Sequence, residues 1–204
     1  MPKIKICGLT RPQDAQAAAE LGADAVGLVF YPQSKRYVSV PQAREVVAAL
    51  PPQVAKVALF VNASAESVRA VLAQLPIDIL QFHGDEPPEF CCQFGKLYWK
   101  AVRVRQARDI ADAAARYADA AALLLDAHIE GQYGGTGQSF DWRLLPESMP
   151  LPWILSGGLN ADNVAEAVRQ TGAAWLDVSS GVERAPGIKS RDLMARFVRQ
   201  AREE

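Results

Sequence analysis

The sequence predicts a (β/α)8 barrel. Short β-branched or apolar runs alternate with Ala-rich stretches of helical period from end to end, and about eight such strand–helix units fit into 204 residues. The runs are too apolar to leave one face in water, which argues for a parallel sheet covered by helices. Eight units favour closure over an open sheet, and ~200 residues is the lower end of the range for the closed fold. The alternative architecture, an open doubly wound sheet, wants a Gly-rich fingerprint after its first strand. Ile6-Cys7-Gly8-Leu9-Thr10 does not supply one. No linker, low-complexity tract or composition shift divides the chain, so residues 1–204 are expected to form one (β/α)8-barrel domain.

In chain order, the strand-like runs are residues 4–7, 25–30, 54–61, 79–83, 97–104, 121–126, 153–156 and 174–179. The helical stretches include residues 12–21, 40–50, 65–75, 108–117, 161–169 and 191–200, while the sixth helical position, near 141–145, looks short. Pro12 suits a first helical turn, where a missing N–H costs nothing. Ser64 and Asn160 stand where N-caps are needed, and Gly22 and Gly172 where a helix can end in a left-handed residue.

Bulk properties narrow the function. Half the residues are apolar, enough for one full core, and 22 basic against 23 acidic residues leave a net charge of −1. That balance gives no reason to expect nucleic acid or an anionic membrane surface as partner. No apolar run approaches the ~20 residues of a membrane span. The start, Met1-Pro2-Lys3-Ile4, enters a strand at once, without the apolar stretch and small-residue cleavage site of a secretion signal. Cys7, Cys91 and Cys92 make no disulfide framework, and the adjacent pair cannot easily bridge. A reduced, cytoplasmic protein is expected.

In such a barrel the active site lies at the C-terminal ends of the strands. That rule selects Cys7, the segment Tyr31–Arg36, Asn62, His83, Asp126, Ser156-Gly157-Gly158 and Ser179-Ser180-Gly181. Glycine-bearing loops after strands seven and eight often cradle a phosphate on backbone N–H groups. The plainer alternative is that each glycine pair only makes a tight turn. Strands one and six are separated by strands seven and eight, so Cys7 and Asp126 would flank a substrate whose phosphate lies between them. A thiolate can accept a proton and a carboxylic acid can donate one, which makes an acid/base pair. A free thiol titrates near ~8.5, so base work at neutral pH needs some local help. Equally, Cys7 could be inert core, Asp126 a turn former, His83 a hydrogen-bonded core residue and His128 a solvated one. Residues 131–137, GQYGGTG, read as a mobile loop over the substrate or as a plain connector. No metal-ligand spacing, nucleophile elbow or nucleotide-binding loop is present. Side chains alternate along a strand, so if Cys7 and Ser179 point inward, so do Lys5 and Asp177. These sit on neighbouring strands of the closed ring and are expected to pair there.

The stretches KICGLT, GADAVGLVFYPQSKRYV, LFVN, QFHGDE, LLLDA, YGGTGQSFDW, LSGGLN and DVSSGVE cover nearly the whole chain. Together, and in this order, they resemble the phosphoribosylanthranilate isomerase family. The resemblance implies a small-molecule substrate, a phosphosugar joined to anthranilate, rearranged from aminoaldose to aminoketose in tryptophan biosynthesis. It implies Asp126 as the acid on the furanose ring oxygen and Cys7 as the base on the sugar C2'. Arg36 would face the anthranilate carboxylate, with phosphate on Gly157, Gly158, Ser180 and Gly181, and His83 as a further substrate contact. No metal or organic cofactor is implied. A related histidine-pathway isomerase uses a pair of aspartates, so Cys7 speaks against that reading. Retention of both Cys7 and Asp126 speaks against a barrel that binds phosphosugars without catalysis. Monomer and homodimer both remain open.

Overall fold

The computed structural model describes residues 1–127 and 140–203. The elements run β1 (Lys3–Cys7), α1 (Pro12–Glu20), β2 (Ala25–Val29), α2 (Val40–Ala48), β3 (Ala55–Phe60), α3 (Ala65–Leu72), β4 (Ile79–Phe82), α4 (Pro88–Cys91), β5 (Leu97–Val104), α5 (Ala107–Arg116), β6 (Ala122–Ala127), β7 (Trp153–Leu155), α6 (Val164–Thr171), β8 (Trp175–Val178), β9 (Glu183–Ala185), β10 (Ile188–Lys189) and α7 (Arg191–Arg202). Strands β1 to β8 pair in chain order, all parallel, and β8 returns to β1 to close the barrel. No helix among the described residues is long and apolar enough to cross a membrane.

Local signals account for most helix ends. Pro12 opens α1, and Ser64 caps α3 by accepting from Ser67 N–H at 3.1 Å. Gly172 ends α6 at φ 62°. The start of α6 differs from the expectation. Asn160 does not cap it: Asn160 Oδ1 accepts from the N–H groups of Asp162 and Asn163 at 2.8 and 3.2 Å, making a separate turn, and the helix begins at Val164. An asparagine side chain can serve a turn as readily as a helix start, and the sequence does not tell the two apart. After β4 the helical segment is short, α4 followed by a 3-10 turn at Cys92–Phe94. The weak sixth position holds only a 3-10 turn, Trp142–Leu144. The β9–β10 hairpin after β8 answers to no run singled out above. Residues 131–137 and His128, given roles or alternatives above, lie outside the described residues.

Period-two alternation divides the barrel wall. Ile4, Ile6, Val26, Leu28, Ala58, Phe60, Leu80, Phe82, Leu123, Leu125, Leu155 and Leu176 face outward and join the helices in one apolar core. Ala25, Val57, Trp99, Ala101, Ala122, Leu124 and Ile154 face inward and form a separate apolar plug. Trp175 packs on this plug, meeting Trp99 edge-on at 5.5 Å. Lys5 and Asp177, opposite each other across the β1–β8 seam, both point into the interior, as the alternation requires. Lys5 Nζ donates to Asp177 Oδ1 at 2.7 Å, with the lysine fully buried. Burial by itself would pull the Lys5 ammonium down, but Asp177 outweighs it and holds the group above its ordinary value. Gly27 on β2 makes room beside them: a Cβ there would lie 2.6 Å from Cys7 Sγ and 3.2 Å from Lys5 Cε.

Removing one partner of this pair strands a buried charge. Asp177→Asn should therefore lower unfolding free energy by about 3–5 kcal/mol in urea titration. Lys5→Met combined with Asp177→Leu should cost much less than the single change. Equal losses for the single and double variants would mean the two side chains do not act as a pair.

Candidate active site

The strand ends deliver most of the expected residues to one place. Cys7, Arg36, His83, Asp126, Gly157, Gly158 and Ser180 line a single cleft at the C-terminal rim of the barrel. Cys7 closes β1, His83 follows β4, Asp126 stands in β6, and the glycine loop follows β7. Arg36 comes from the segment between β2 and α2, which a bridge between Val29 and Tyr37 draws alongside β2. Gly181 does not line the cleft. It sits one layer behind, bridged to Asn160 and pressed against Leu159 O so closely that no Cβ fits. It thus ties the loop after β8 to the loop after β7.

At the acid candidate the chain is specific. Asp126 is buried, with Oδ1 accepting from Ala127 N–H at 2.9 Å and Oδ2 set 3.2 Å from His83 Nε2. The other ring nitrogen, His83 Nδ1, lies 3.0 Å from Gln81 Nε2. Gly157 fits against this carboxyl at φ 86°, where a Cβ would come within 2.8 Å of Asp126 Oδ1. Glycine is required there for both the backbone conformation and the close approach. The loop bearing His83 is pinned from behind. Glu86 accepts from Asn62 N–H at 2.7 Å, Gly84 N–H at 3.0 Å and Lys100 Nζ at 3.1 Å, and the Glu86 and Lys100 side chains have little exposure to water.

At the base candidate a thiol sits beside an ion pair. Cys7 lies among Val29, Leu59 and Val61, and its backbone oxygen accepts from Ser179 Oγ at 3.0 Å. Burial pushes the Cys7 thiol above its ordinary value, while the Lys5 ammonium two residues earlier opposes the rise. Asp177 is held from its other side by Ser156 Oγ at 3.2 Å.

Arg36 is braced. Its Nε and Nη2 donate to the two oxygens of Glu183, each at 2.8 Å, in the two-pronged geometry that suits a guanidinium. Glu183 also accepts from the buried Lys189 Nζ at 2.8 Å, and Lys189 donates to Ser179 O at 3.0 Å. Burial alone would raise the Glu183 carboxyl, but its bonds to Arg36 and Lys189 hold it below the ordinary range. Burial pulls the Lys189 ammonium down against the attraction of Glu183. The carboxylate thus bridges the Arg36 guanidinium and the Lys189 side chain.

Glu183, Lys189 and Gln81 were not singled out by sequence, whereas Ser156 was selected as the end of strand seven. For Gln81 a signal existed: it lies two residues before His83, so it shares the inward face of β4. Glu183 and Lys189 gave none, because the hairpin that brings them to Arg36 has no periodic pattern. Among the described residues, no group of three His, Cys, Asp or Glu side chains could hold a metal ion.

Comparisons with known proteins agree with one another. Residues 4–200 match the family described as N-(5'phosphoribosyl)anthranilate (PRA) isomerase. A protein of Neisseria meningitidis named N-(5'-phosphoribosyl)anthranilate isomerase is 55% identical over 199 residues, covering 98% of this chain and 96% of its own. Phosphoribosyl anthranilate isomerase from Thermotoga maritima superimposes with a TM-score of 0.92 at 40% identity, over 100% of both chains. A phosphoribosyl anthranilate isomerase in complex with reduced 1-(o-carboxyphenylamino)-1-deoxyribulose 5-phosphate superimposes at 0.85 and 38% identity, again over 100% of both.

Burial of the Cys7 thiol sets its response to pH. A raised thiol stays protonated at neutral pH, so its thiolate fraction, and with it the alkylation rate, grows with pH. Iodoacetamide labelling of Cys7, followed by peptide mass spectrometry, should still accelerate above pH ~8.5, where an ordinary thiol levels off. A plateau below that pH would mean that Lys5 prevails over burial.

Proposed function

The chain belongs to the N-(5'-phosphoribosyl)anthranilate isomerase family, and on that premise we propose an Amadori rearrangement with Cys7 as general base and Asp126 as general acid. As a member of the family it is an isomerase of tryptophan biosynthesis. The substrate in this reading is N-(5'-phosphoribosyl)anthranilate and the product 1-(2-carboxyphenylamino)-1-deoxyribulose 5-phosphate. The observation that carries the reading is the convergence of a thiol, a carboxyl and a braced guanidinium on one cleft rimmed by two glycine-bearing loops. A similar protein holding a reduced carboxyphenylamino-deoxyribulose phosphate supports the same substrate class.

The steps follow from what each group can do. Asp126 donates its proton to the furanose ring oxygen. The bond from C1' to that oxygen breaks, and the nitrogen lone pair forms the Schiff base. The Cys7 thiolate then removes the proton from C2', and those electrons neutralise the iminium to give an enolamine. Tautomerisation to the C2' ketone completes the isomerisation with no net loss of atoms. Lys5 steadies the thiolate form that burial disfavours. Because Glu183 occupies the Nε and Nη2 edge of Arg36, Nη1 is left to meet the anthranilate carboxylate. Backbone N–H groups around Gly157, Gly158 and Ser180 receive the phosphate, with Gly181 bracing the loop from behind, and His83 stands within the same cleft as a further contact.

Two sets of variants test this. Cys7→Ser keeps the size of the side chain but offers a hydroxyl too weakly acidic to supply a base, and Asp126→Asn keeps shape but has no acidic proton. Each should lower kcat by about 10²–10⁴, followed by loss of phosphoribosylanthranilate fluorescence. Calorimetric affinity for the reduced product analogue should change far less. Near wild-type kcat in Cys7→Ser would reduce Cys7 to packing.

Arg36 acts on binding rather than on a bond. Arg36→Met should weaken substrate binding by about 1.5–3 kcal/mol, seen as a higher KM at nearly constant kcat. An unchanged KM would remove Arg36 from the anthranilate site.

A further inference from the structure

We propose that Gln81 is a positioning residue whose side-chain amide holds His83 in the Nε2–H tautomer, so that the imidazole can donate to Asp126 but cannot take its proton. The inference deepens the reading of Asp126 as general acid and rests on it.

The geometry is a buried line of three side chains. Gln81 is fully buried on the inward face of β4, and His83 and Asp126 are buried beside it. Gln81 Nε2 is 3.0 Å from His83 Nδ1, and His83 Nε2 is 3.2 Å from Asp126 Oδ2. An amide NH2 can only donate, so His83 Nδ1 must offer its lone pair. The ring proton of a neutral imidazole then sits on Nε2 and points at Asp126. Gln81 Oε1 is buried with no hydrogen-bond partner among the described residues. Buried polar atoms are rarely left so. Turning the amide over would give that oxygen a partner, but only by demanding a proton on Nδ1.

The tautomer matters because Asp126 has to give its proton to the substrate. With Nδ1–H, the facing Nε2 would present a lone pair 3.2 Å from Oδ2. An Asp126 proton would then bond to His83 rather than to the ring oxygen. With Nε2–H that acceptor is removed. Ala127 N–H occupies Oδ1 and His83 N–H occupies one lone pair of Oδ2. Each oxygen keeps one further lone pair, and a proton held there meets no acceptor on His83, so it is free to leave toward the ring oxygen. The buried amide thus selects which way the carboxyl proton can go.

Nitrogen-15 NMR of the imidazoles in the full chain reads the tautomer directly and needs no substrate. The chain has 2 histidines, so His83→Asn assigns the signals. The wild type should show a pyridine-like Nδ1 and a protonated Nε2 at His83. In Gln81→Glu the side-chain carboxylate only accepts, so Nδ1 should become protonated, and kcat should fall about 10–100-fold with KM within about twofold. Gln81→Met, which neither donates nor accepts at that point, should show averaged tautomers and an intermediate kcat. A wild-type spectrum with Nδ1 protonated, or an unchanged pattern in Gln81→Glu, overturns the inference. Failure of the acid assignment is separate: it would appear as near wild-type kcat in Asp126→Asn, whatever the tautomer.

Discussion

Closure of eight parallel strands leaves an interior that no helix covers and little water reaches. Every inward side chain must find its partners within that ring. The Lys5–Asp177 pair meets this demand at the β1–β8 seam, where the first and last strands of the barrel join. An apolar plug around Trp99 and Ile154 fills the interior elsewhere. Cys7 lies one inward step beyond Lys5 on the same strand, so its thiol is set directly beside the pair. Gly27 opens the space in which all of this fits, since a side chain there would collide with the Cys7 sulfur and crowd Lys5. Closure, charge pairing and placement of the thiol are therefore one structural arrangement.

The rim is organised differently from the wall. Several of its residues come from loops, which the barrel does not order by itself, and two of these loops are fixed by a buried carboxylate. Glu86, held by Lys100 and two backbone N–H groups, secures the loop after β4. Glu183, held by Arg36 and Lys189, secures the segment after β2 and the hairpin after β8 together. Such ion pairs add little net stability, because desolvation offsets most of the attraction. Their value is geometric: a bidentate carboxylate leaves Arg36 one orientation, and a rigid guanidinium can meet a planar carboxylate without first being ordered.

The polar groups of the cleft divide into two clusters. The thiol side carries Cys7 with Lys5, Asp177 and Ser156. The carboxyl side carries Asp126 with His83 and Gln81. In the proposed reaction one side takes a proton and the other gives one. Burial acts differently on the two: it disfavours the Cys7 thiolate, which Lys5 steadies, and it strengthens the hydrogen bonds that hold the Asp126 carboxyl in place.

Fold class and several residues of the cleft can be read from the chain alone. Eight apolar runs in alternation with helical stretches are visible without coordinates, and the period of two places Lys5, Cys7 and Asp177 on one inward face. The rule that barrels work at the C-terminal ends of their strands then picks out Cys7, His83, Asp126 and the glycine loop after β7. Which groups face one another across the cleft emerges only once the chain is folded. Glu183 and Lys189 reach Arg36 through a hairpin whose residues carry no periodic signal. Asn160 turns out to serve a turn rather than a helix start, and Gly181 braces a neighbouring loop. Gln81 becomes meaningful only when its amide is seen against His83. The physical reason is that periodicity records which face a residue buries, a local property of the strand. Hydrogen-bond partners at the rim depend on the distance between segments far apart in the chain, which no local pattern encodes.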